Sequence, residues 1–480
     1  MKVLQTSALP LGYVAGCIRL SRFWLSSRGP PRLSEQCGLA AKPLNNRRLP
    51  TPERRSHQKR LLPSKLDIGT AKGSESPAVT SGQGGGSLTE LRLANRRRAL
   101  RLLRLRGALT QAELSQGTGL SRAAVSNIVR ELVDSGLARA TAASRNGRRV
   151  SEVTLNPSSG IVGGIDFGNR HVRVAIGDLT HTVLAEEQHT LPYGHAAANG
   201  VREASEMLRN LTTKARRRLQ DMELLVVGLP GPIDLESGRT VSPAILPGWS
   251  DFDVKSAFAA ATGVRTMTDN DANLGALAEG TWGVGQGLSD FAYIKVSTGI
   301  GAGLVLNGRL YRGVAGTAGE VGHTTIEESG LLCRCGNRGC LETVAAAPAL
   351  LDLLRRSYGD ITLEEVLRLS AGGDTGCRRL IADAGRHIGV ALANLCNLLS
   401  PQMIIVGGEL AMAGDILLAP MRESMSRRAV STPAEATRVV IGALSERAGV
   451  LGALALALQE SDERDGASHN ESRISGTLAS

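Results

Sequence analysis

The segment Ala318-Gly-Glu-Val-Gly-His323, followed after nine residues by Cys333-Arg-Cys-Gly-Asn-Arg-Gly-Cys-Leu-Glu342, places four metal-competent side chains within eighteen residues: His323, Cys333, Cys335 and Cys340. Gly336 and Gly339 lie among the last ligands and permit the tight turns that a tetrahedral site demands. Three thiolates and an imidazole are donors that zinc takes tetrahedrally. Four protein ligands leave no open position for water, so the pattern reads as structural zinc rather than a catalytic metal. The competing reading is buried free thiols, because an isolated cysteine behaves as a small hydrophobe. Three cysteines in eight residues, with glycines between them, speak against it. Two carboxylates bracket the ligands, Glu320 three residues before His323 and Glu342 two after Cys340. A metal that fixes His323 and Cys340 also fixes both acids, which suits them to accept hydrogen bonds from a polyol.

Glu-x-Gly-His followed by Cys-x-Cys-Gly-x-x-Gly-Cys-Leu-Glu resembles the signature of the ROK family (repressors, open reading frames, kinases). The resemblance implies a two-lobed actin-like, hexokinase-like (RNase H-like) ATPase fold of α/β class, with the zinc segment inserted. It implies that His323, Cys333, Cys335 and Cys340 hold Zn2+, and that Glu320, Glu342 and the neighbourhood of His323 contact a sugar.

The chain has 480 residues, enough for two or three domains. Residues 1–87 hold 14 Lys and Arg against 4 acids, and residues 88–155 hold 13 against 5. Net charges of +10 and +8 in those stretches and +11 overall leave −7 for the remainder. A basic front and an acidic back point to a nucleic-acid-binding module ahead of a small-molecule domain. No run of about 18 apolar residues occurs, so no transmembrane helix and no membrane partner are expected. Seven cysteines, three of them assigned to zinc, fit a reducing cytoplasm better than a disulfide framework. Cys377 and Cys396 lie in apolar, helical surroundings and read as core thiols.

Residues 1–87 mix Pro, Ser, Arg and Gly without a sustained period and end in Ser-Gly-Gln-Gly-Gly-Gly-Ser. They read as a disordered basic extension, or as the product of a misassigned start. From Leu88 the pattern turns helical, with a basic helix to Arg106. Thr110-Gln-Ala-Glu113 has the form of a capping box opening a second helix, with Ala112 and Leu114 inside and Gly117 and Gly119 at its end. Ser121 caps a third helix in which Val125, Ile128, Val129, Leu132 and Val133 form one apolar stripe. Leu137–Thr141 and Arg149–Leu155 read as a hairpin about Asn146-Gly147.

Helix, helix-turn-helix and basic hairpin make a winged helix-turn-helix over 88–155. Its third helix would enter a major groove and present Arg122, Ser126 and Asn127 to base edges. Arg145, Arg148 and Arg149 on the wing would meet phosphates or the minor groove. The layout is similar to the repressor branch of the ROK family, with the winged module first and the sugar domain second.

From Gly160 the chain reads as α/β. Strands are expected at 161–166, 172–178, 182–190, 222–228 and 264–268, the last delivering Asp269-Asn-Asp-Ala-Asn273. The plan repeats with strands at 291–297, 301–306 and 403–406 and a final helix near 445–460 packed on the first lobe. The sugar domain is expected over 156–480, divided into approximately 156–275 plus the C-terminal helix, and 276–440.

Kinases of the family resemble Asp-x-Gly-Gly-Thr-Lys in the first phosphate loop, whereas this chain has Asp166-Phe-Gly-Asn-Arg-His171. Asn169 and Arg170 would occupy space meant for phosphates, so ATP is not expected as a cofactor. The second loop survives as Ser297-Thr-Gly-Ile-Gly-Ala-Gly303. Asp271 matches the family's catalytic base, and with Asn270 it matches the sugar ligands; both residue types also favour helix N-caps. The expected function is a sugar-responsive DNA-binding regulator, most simply a repressor acting as a dimer or higher homo-oligomer. A double-stranded operator and a sugar effector are its expected partners. The sugar would be held by Asn270, Asp271, Glu320, His323 and Glu342, in a cleft with no catalytic residue in use. The alternative is an active glucokinase-like or amino-sugar kinase-like enzyme with Asp271 as base.

Overall fold

The computed structural model describes residues 86–461, apart from 146–147, 158–159, 235–236, 241–245 and 247. The expected basic extension therefore lies outside the described residues except at 86–87, which already belong to helix α1 (Gly86–Arg106). A short strand β1 (Leu109–Thr110) follows, and then α2 (Gln111–Thr118). The capping box is formed in full: Thr110 Oγ1 accepts from Glu113 N at 3.2 Å, and Glu113 Oε2 accepts from Thr110 N at 2.8 Å. Gly119 ends this helix at φ 70, a left-handed conformation that favours glycine. Helix α3 (Arg122–Asp134) is capped by Ser121 Oγ, which accepts from Ala124 N. It buries Val125, Ile128, Val129 and Leu132, but Val133 is 37% exposed. At about 100° per residue Val133 lies roughly 80° round from Val125, on the edge of the stripe. Ala112 is likewise exposed, because two residues' separation turns it away from the buried Leu114.

Strands β2 (Ala138–Arg145) and β3 (Arg148–Leu155) form the hairpin, paired from Ala138↔Leu155 to Arg145↔Arg148. β1 adds to the free edge of β3, a third strand that the sequence pattern did not reveal. Buried Leu100, Leu103, Leu114, Leu132 and Val153 fill the space between the three helices and this sheet.

The rest of the chain is built twice on one plan. In the first lobe β4 (Ile161–Phe167), β5 (His171–Asp178) and β6 (Val183–Thr190) run antiparallel. After α4 (Ala197–Lys214), β7 (Met222–Leu229) returns parallel to β4. After α5 (Val254–Thr262), β8 (Thr266–Asn270) adds parallel to β7 and leads into α6 (Asp271–Trp282). The sheet order is β6-β5-β4-β7-β8. The strand expected at 264–268 is thus displaced by two residues.

The second lobe repeats this with β9 (Phe291–Val296), β10 (Ile300–Leu306) and β11 (Arg309–Tyr311). The zinc-like segment comes next, followed by α7 (Glu342–Ala345), α8 (Ala347–Tyr358), α9 (Leu363–Ala371) and α10 (Thr375–Leu399). Then come β12 (Met403–Gly407), α11 (Asp415–Ser426), α12 (Ser431–Ala436) and β13 (Arg438–Ile441), giving the order β11-β10-β9-β12-β13. The short edge strands β11 and β13 were not foreseen.

Helix α13, over 448–461, turns back onto the first sheet as expected. A methyl at Gly164 would meet Val450 O at 2.7 Å, and one at Gly452 would stand 1.8 Å from Leu274 O of α6, so glycine is what lets α13 lie this close. Cys377 and Cys396 are fully buried core thiols. The winged module rests on the first lobe: Arg104 of α1 donates to Leu179 O at 3.1 Å, and Leu179 and Val162 join its apolar core. Beside that contact the His181 ring tilts against Trp282 at the end of α6, with centroids 5.7 Å apart.

Candidate functional site

A hairpin of loops after β11 gathers the four candidate metal ligands. Their donor atoms all lie within 4.8 Å of one another. Cys333 Sγ is 3.6 Å from His323 Nδ1, and Cys335 Sγ is 3.7 Å from Cys340 Sγ. A tetrahedron with metal–sulfur bonds of about 2.3 Å and a metal–nitrogen bond of about 2.0 Å has edges of about 3.5–3.8 Å, so the spacing fits such a site. The set can hold a metal ion. Because Nδ1 faces Cys333, Nε2 is the nitrogen turned to Glu320, at 3.9 Å from Oε2.

A cleft of about 470 Å3 runs between the lobes, and every residue expected to bind sugar lines it: Asn270, Asp271, Glu320, His323 and Glu342. Strand β8 delivers the first two. Asn270 caps α6, its Oδ1 accepting from Ala272 N at 2.9 Å and Asn273 N at 3.2 Å. Its Nδ2 donates to Gly231 O at 2.8 Å, which leaves one amide N–H for a ligand. Glu320 is pushed up to about 7 by burial, with the Asp271 and Glu342 carboxylates adding to the effect. Glu342 opens α7, accepts from Ile300 N at 3.1 Å and pairs with Arg334 at 2.7 Å.

Three cations in this region were not foreseen. Arg334 pairs with Glu342, Lys295 donates to Asp271 Oδ2 at 2.7 Å, and Arg312 grips buried Asp269 at 2.6 and 3.0 Å. The last two join the lobes, since Asp269 lies in β8 and Asp271 opens α6 of the first lobe, while Lys295 and Arg312 belong to the second lobe. Lys295 carried a legible signal, being the one charged residue in the apolar strand Phe291–Val296.

On the winged module, Arg122, Ser126 and Asn127 occupy the first turns of α3, where Arg122 is exposed and Asn127 projects outward beside the exposed Arg130. Arg149 is exposed on β3, and Arg145 and Arg148 form the register pair next to the turn. The structure therefore gathers the residues expected to contact DNA on one small domain, separate from the cleft.

Residues 162–460 match the model of the ROK family, and residues 94–149 match a model of the MarR family. The chain belongs to the ROK family. It is 29% identical over 391 residues to the xylose repressor of Caldicellulosiruptor bescii, covering 78% of this chain and 98% of that protein. It is equally 29% identical over 391 residues to the transcriptional dual regulator NagC of Escherichia coli, covering 77% and 94%. Among solved structures it resembles a ROK family transcriptional regulator described as a homologue of the E. coli MLC protein. That match has a TM-score of 0.65 and 25% identity, over 78% of this chain and 97% of the other. A ROK glucokinase from Streptomyces griseus, solved with glucose and AMPPNP, matches with a TM-score of 0.54 and 26% identity. That likeness covers 62% of this chain and all of the kinase, so it stops short of the winged module.

Within the ROK domain the first of the two glycine-bearing loops departs from the kinase pattern and makes contacts of its own. Asn169 Nδ2 donates to Thr298 Oγ1 at 3.2 Å, tying the first loop to the second across the cleft. Arg170 lies over the Tyr193 ring, 5.5 Å from its centroid, and His171 stands 3.8 Å from Asp166. The residues of both loops, Gly168–His171 and Ser297–Gly301, line the cleft, where side chains of the first loop contact the second and the flanking Tyr193.

Proposed function

We propose that this chain is a sugar-responsive transcriptional repressor that uses a ROK kinase fold as a sensor. The observation that carries the reading is one continuous chain in which a winged helix-turn-helix, resting through Arg104 of α1 on Leu179 of the first lobe, precedes a two-lobed domain whose cleft gathers the expected sugar ligands beside altered phosphate loops. Relatives named xylose repressor and N-acetylglucosamine repressor, aligned over nearly their whole length, support it. In this reading the ROK domain is a regulator and not an enzyme.

The proposed division is 88–155 for the DNA-binding domain and 156–480 for the effector domain. Zinc, held by His323, Cys333, Cys335 and Cys340, fixes the loop that carries Glu320 and Glu342. The sugar is bound by Asn270, Asp271, Glu320, His323 Nε2 and Glu342, whose carboxylates accept hydroxyl hydrogen bonds. Arg122, Ser126 and Asn127 read bases, while Arg145, Arg148 and Arg149 meet the backbone. Two copies act on a near-palindromic operator, because two winged modules reading two half-sites share the two-fold symmetry of a dimer. The protein works in the cytoplasm; among the described residues no helix is long and apolar enough to cross a membrane. Release follows from linkage: a sugar that binds the DNA-competent arrangement less well lowers operator affinity by its differential affinity.

The test is binding of the full chain to labelled DNA from its own upstream region, at fixed salt because phosphate contacts make affinity salt-dependent. D-xylose, N-acetylglucosamine and D-glucose are added in turn. Specific binding released by one sugar supports the reading. Absence of specific binding together with ATP turnover on one of those sugars would replace it with the kinase reading.

A further inference from the structure

Lys295 reaches from β9 of the second lobe to Asp271 at the head of α6 in the first, with Nζ 2.7 Å from Oδ2. A second carboxylate faces the same region. Asp166 is 3% exposed, and its Oδ1 has no hydrogen-bond partner among the described residues. Asp166, Asp271 and Lys295 together line a small cavity of about 110 Å3 beside the sugar cleft.

Two carboxylates lining one small, largely buried cavity are donors suited to a hard divalent cation. Phosphoryl transfer relies on such an ion to bridge the nucleotide's phosphates and neutralise developing charge. In this chain the Lys295 ammonium lines the same cavity, bound to Asp271 and acting on Asp166 through its charge. Burial works against the Lys295 charge, yet Asp271 and Asp166 outweigh it and hold the lysine above its ordinary value. Burial alone would raise Asp166, but His171 and Lys295 hold it below the usual carboxylate range.

We propose that Lys295 is a positioning residue that takes the place of a divalent cation between Asp166 and Asp271, so that the cleft reads a sugar without a metal-nucleotide. One Asp271 oxygen is committed to Lys295, and the carboxylate is held across the lobes as an acceptor for a sugar hydroxyl. The oxygen bound to the ammonium is not available to take that hydroxyl's proton, so Asp271 Oδ1 alone is left to face the sugar. The Asn169–Thr298 tie closes the adjoining phosphate space from the other side. The proposal rests on the sugar-sensor reading for its purpose, but its central claim concerns charge and can be tested without a sugar.

The experiment uses the full-length, zinc-loaded protein and follows Mn2+ uptake by the loss of the free-ion paramagnetic resonance signal. Wild type and K295R are expected to bind no ion at this site. K295M and K295T, which remove the ammonium paired with Asp271 and leave His171 and Arg173 as the remaining cationic neighbours of Asp166, are expected each to take up one Mn2+ per chain, and the added substitution D271N to abolish that uptake. Circular dichroism melts show which variants are folded, and either neutral variant suffices. A second arm measures sugar affinity with the three probe sugars. K295M is expected to lose at least about tenfold, the equivalent of one charged hydrogen bond, and to regain part of it with Mn2+. Uptake by folded K295M and K295T equal to wild type, or uptake that D271N leaves intact, overturns the proposal. Wild-type protein that binds none of the three sugars while the Mn2+ results hold overturns the sugar reading instead.

Discussion

Removing the metal should disable sugar sensing while leaving DNA binding intact. The perturbation is a chelator, or the substitution Cys335→Ser, chosen because Cys335 is the exposed ligand and its change opens no void in a core. The metal loop fixes Glu320 through His323, three residues on, and Glu342 through Cys340, two residues before it. A hydrogen bond to a charged acceptor contributes about 1.5–3 kcal/mol, so losing both acids costs about 3–6 kcal/mol of sugar binding. Glu342 is also held by Ile300 N and by the start of α7, so the lower end applies, a weakening of roughly a hundredfold. Operator affinity without sugar should stay within about twofold, because the metal loop contributes no residue to the apolar core that the winged module shares with the lobes. Calorimetric sugar titration of holo, chelated and Cys335→Ser protein, beside operator titrations of the same samples, measures both quantities. Chelated protein that binds sugar within about threefold of holo protein would refute the claim that the metal positions the acids.

Other outcomes follow from named contacts. Arg122→Ala or Asn127→Ala should cost about 1–3 kcal/mol on the specific operator and little on random DNA, whereas Arg149→Ala should weaken both and lower the salt slope by about one. Arg312→Met leaves Asp269, 1% exposed, buried beside no cation at the lobe junction, and should destabilise the fold by about 3–5 kcal/mol in urea unfolding. Adding Asp269→Asn should recover much of that loss. His181 is held well below its ordinary value by burial, with the Arg104 charge adding, so it stays neutral in the folded protein. An unfolded chain takes up that proton near pH 6.5, so stability present above about pH 6.5 is lost as pH falls below it. His181→Asn, which tolerates the local φ of 71, should flatten the acid limb of the melting profile.

The parts of this molecule that were legible in its sequence are those set by local chemistry. Thr110 and Glu113 announce a capping box, Ser121 a cap, and the 333–340 spacing a metal loop, because each depends on residues a few positions apart. The repeat of the lobes was visible in apolar runs, but β11 and β13 were not. Three or four residues at a sheet edge are recruited by a neighbour rather than by their own pattern. β8 was misplaced by two residues because its last positions, Asp269 and Asn270, are polar, although they complete the ladder with Gly228 and Leu229. The residues expected to bind sugar do line one cleft, and motif spacing is what made them legible. Their partners Lys295, Arg312 and Arg334 were missed: the pairs span 24, 43 and 8 residues and are set by the tertiary fold, and only Lys295 left a trace, as one charge in an apolar strand.

The account stands on coupling between cleft and operator, and coupling must be reciprocal. The deciding measurement is the affinity of the effector sugar for free protein and for protein saturated with operator, set against the operator's affinity with and without saturating sugar. The account predicts the same factor in both directions, about 5–150-fold, with no nucleotide added. A sugar that binds the cleft equally well with and without operator, and leaves operator affinity unchanged, would contradict it.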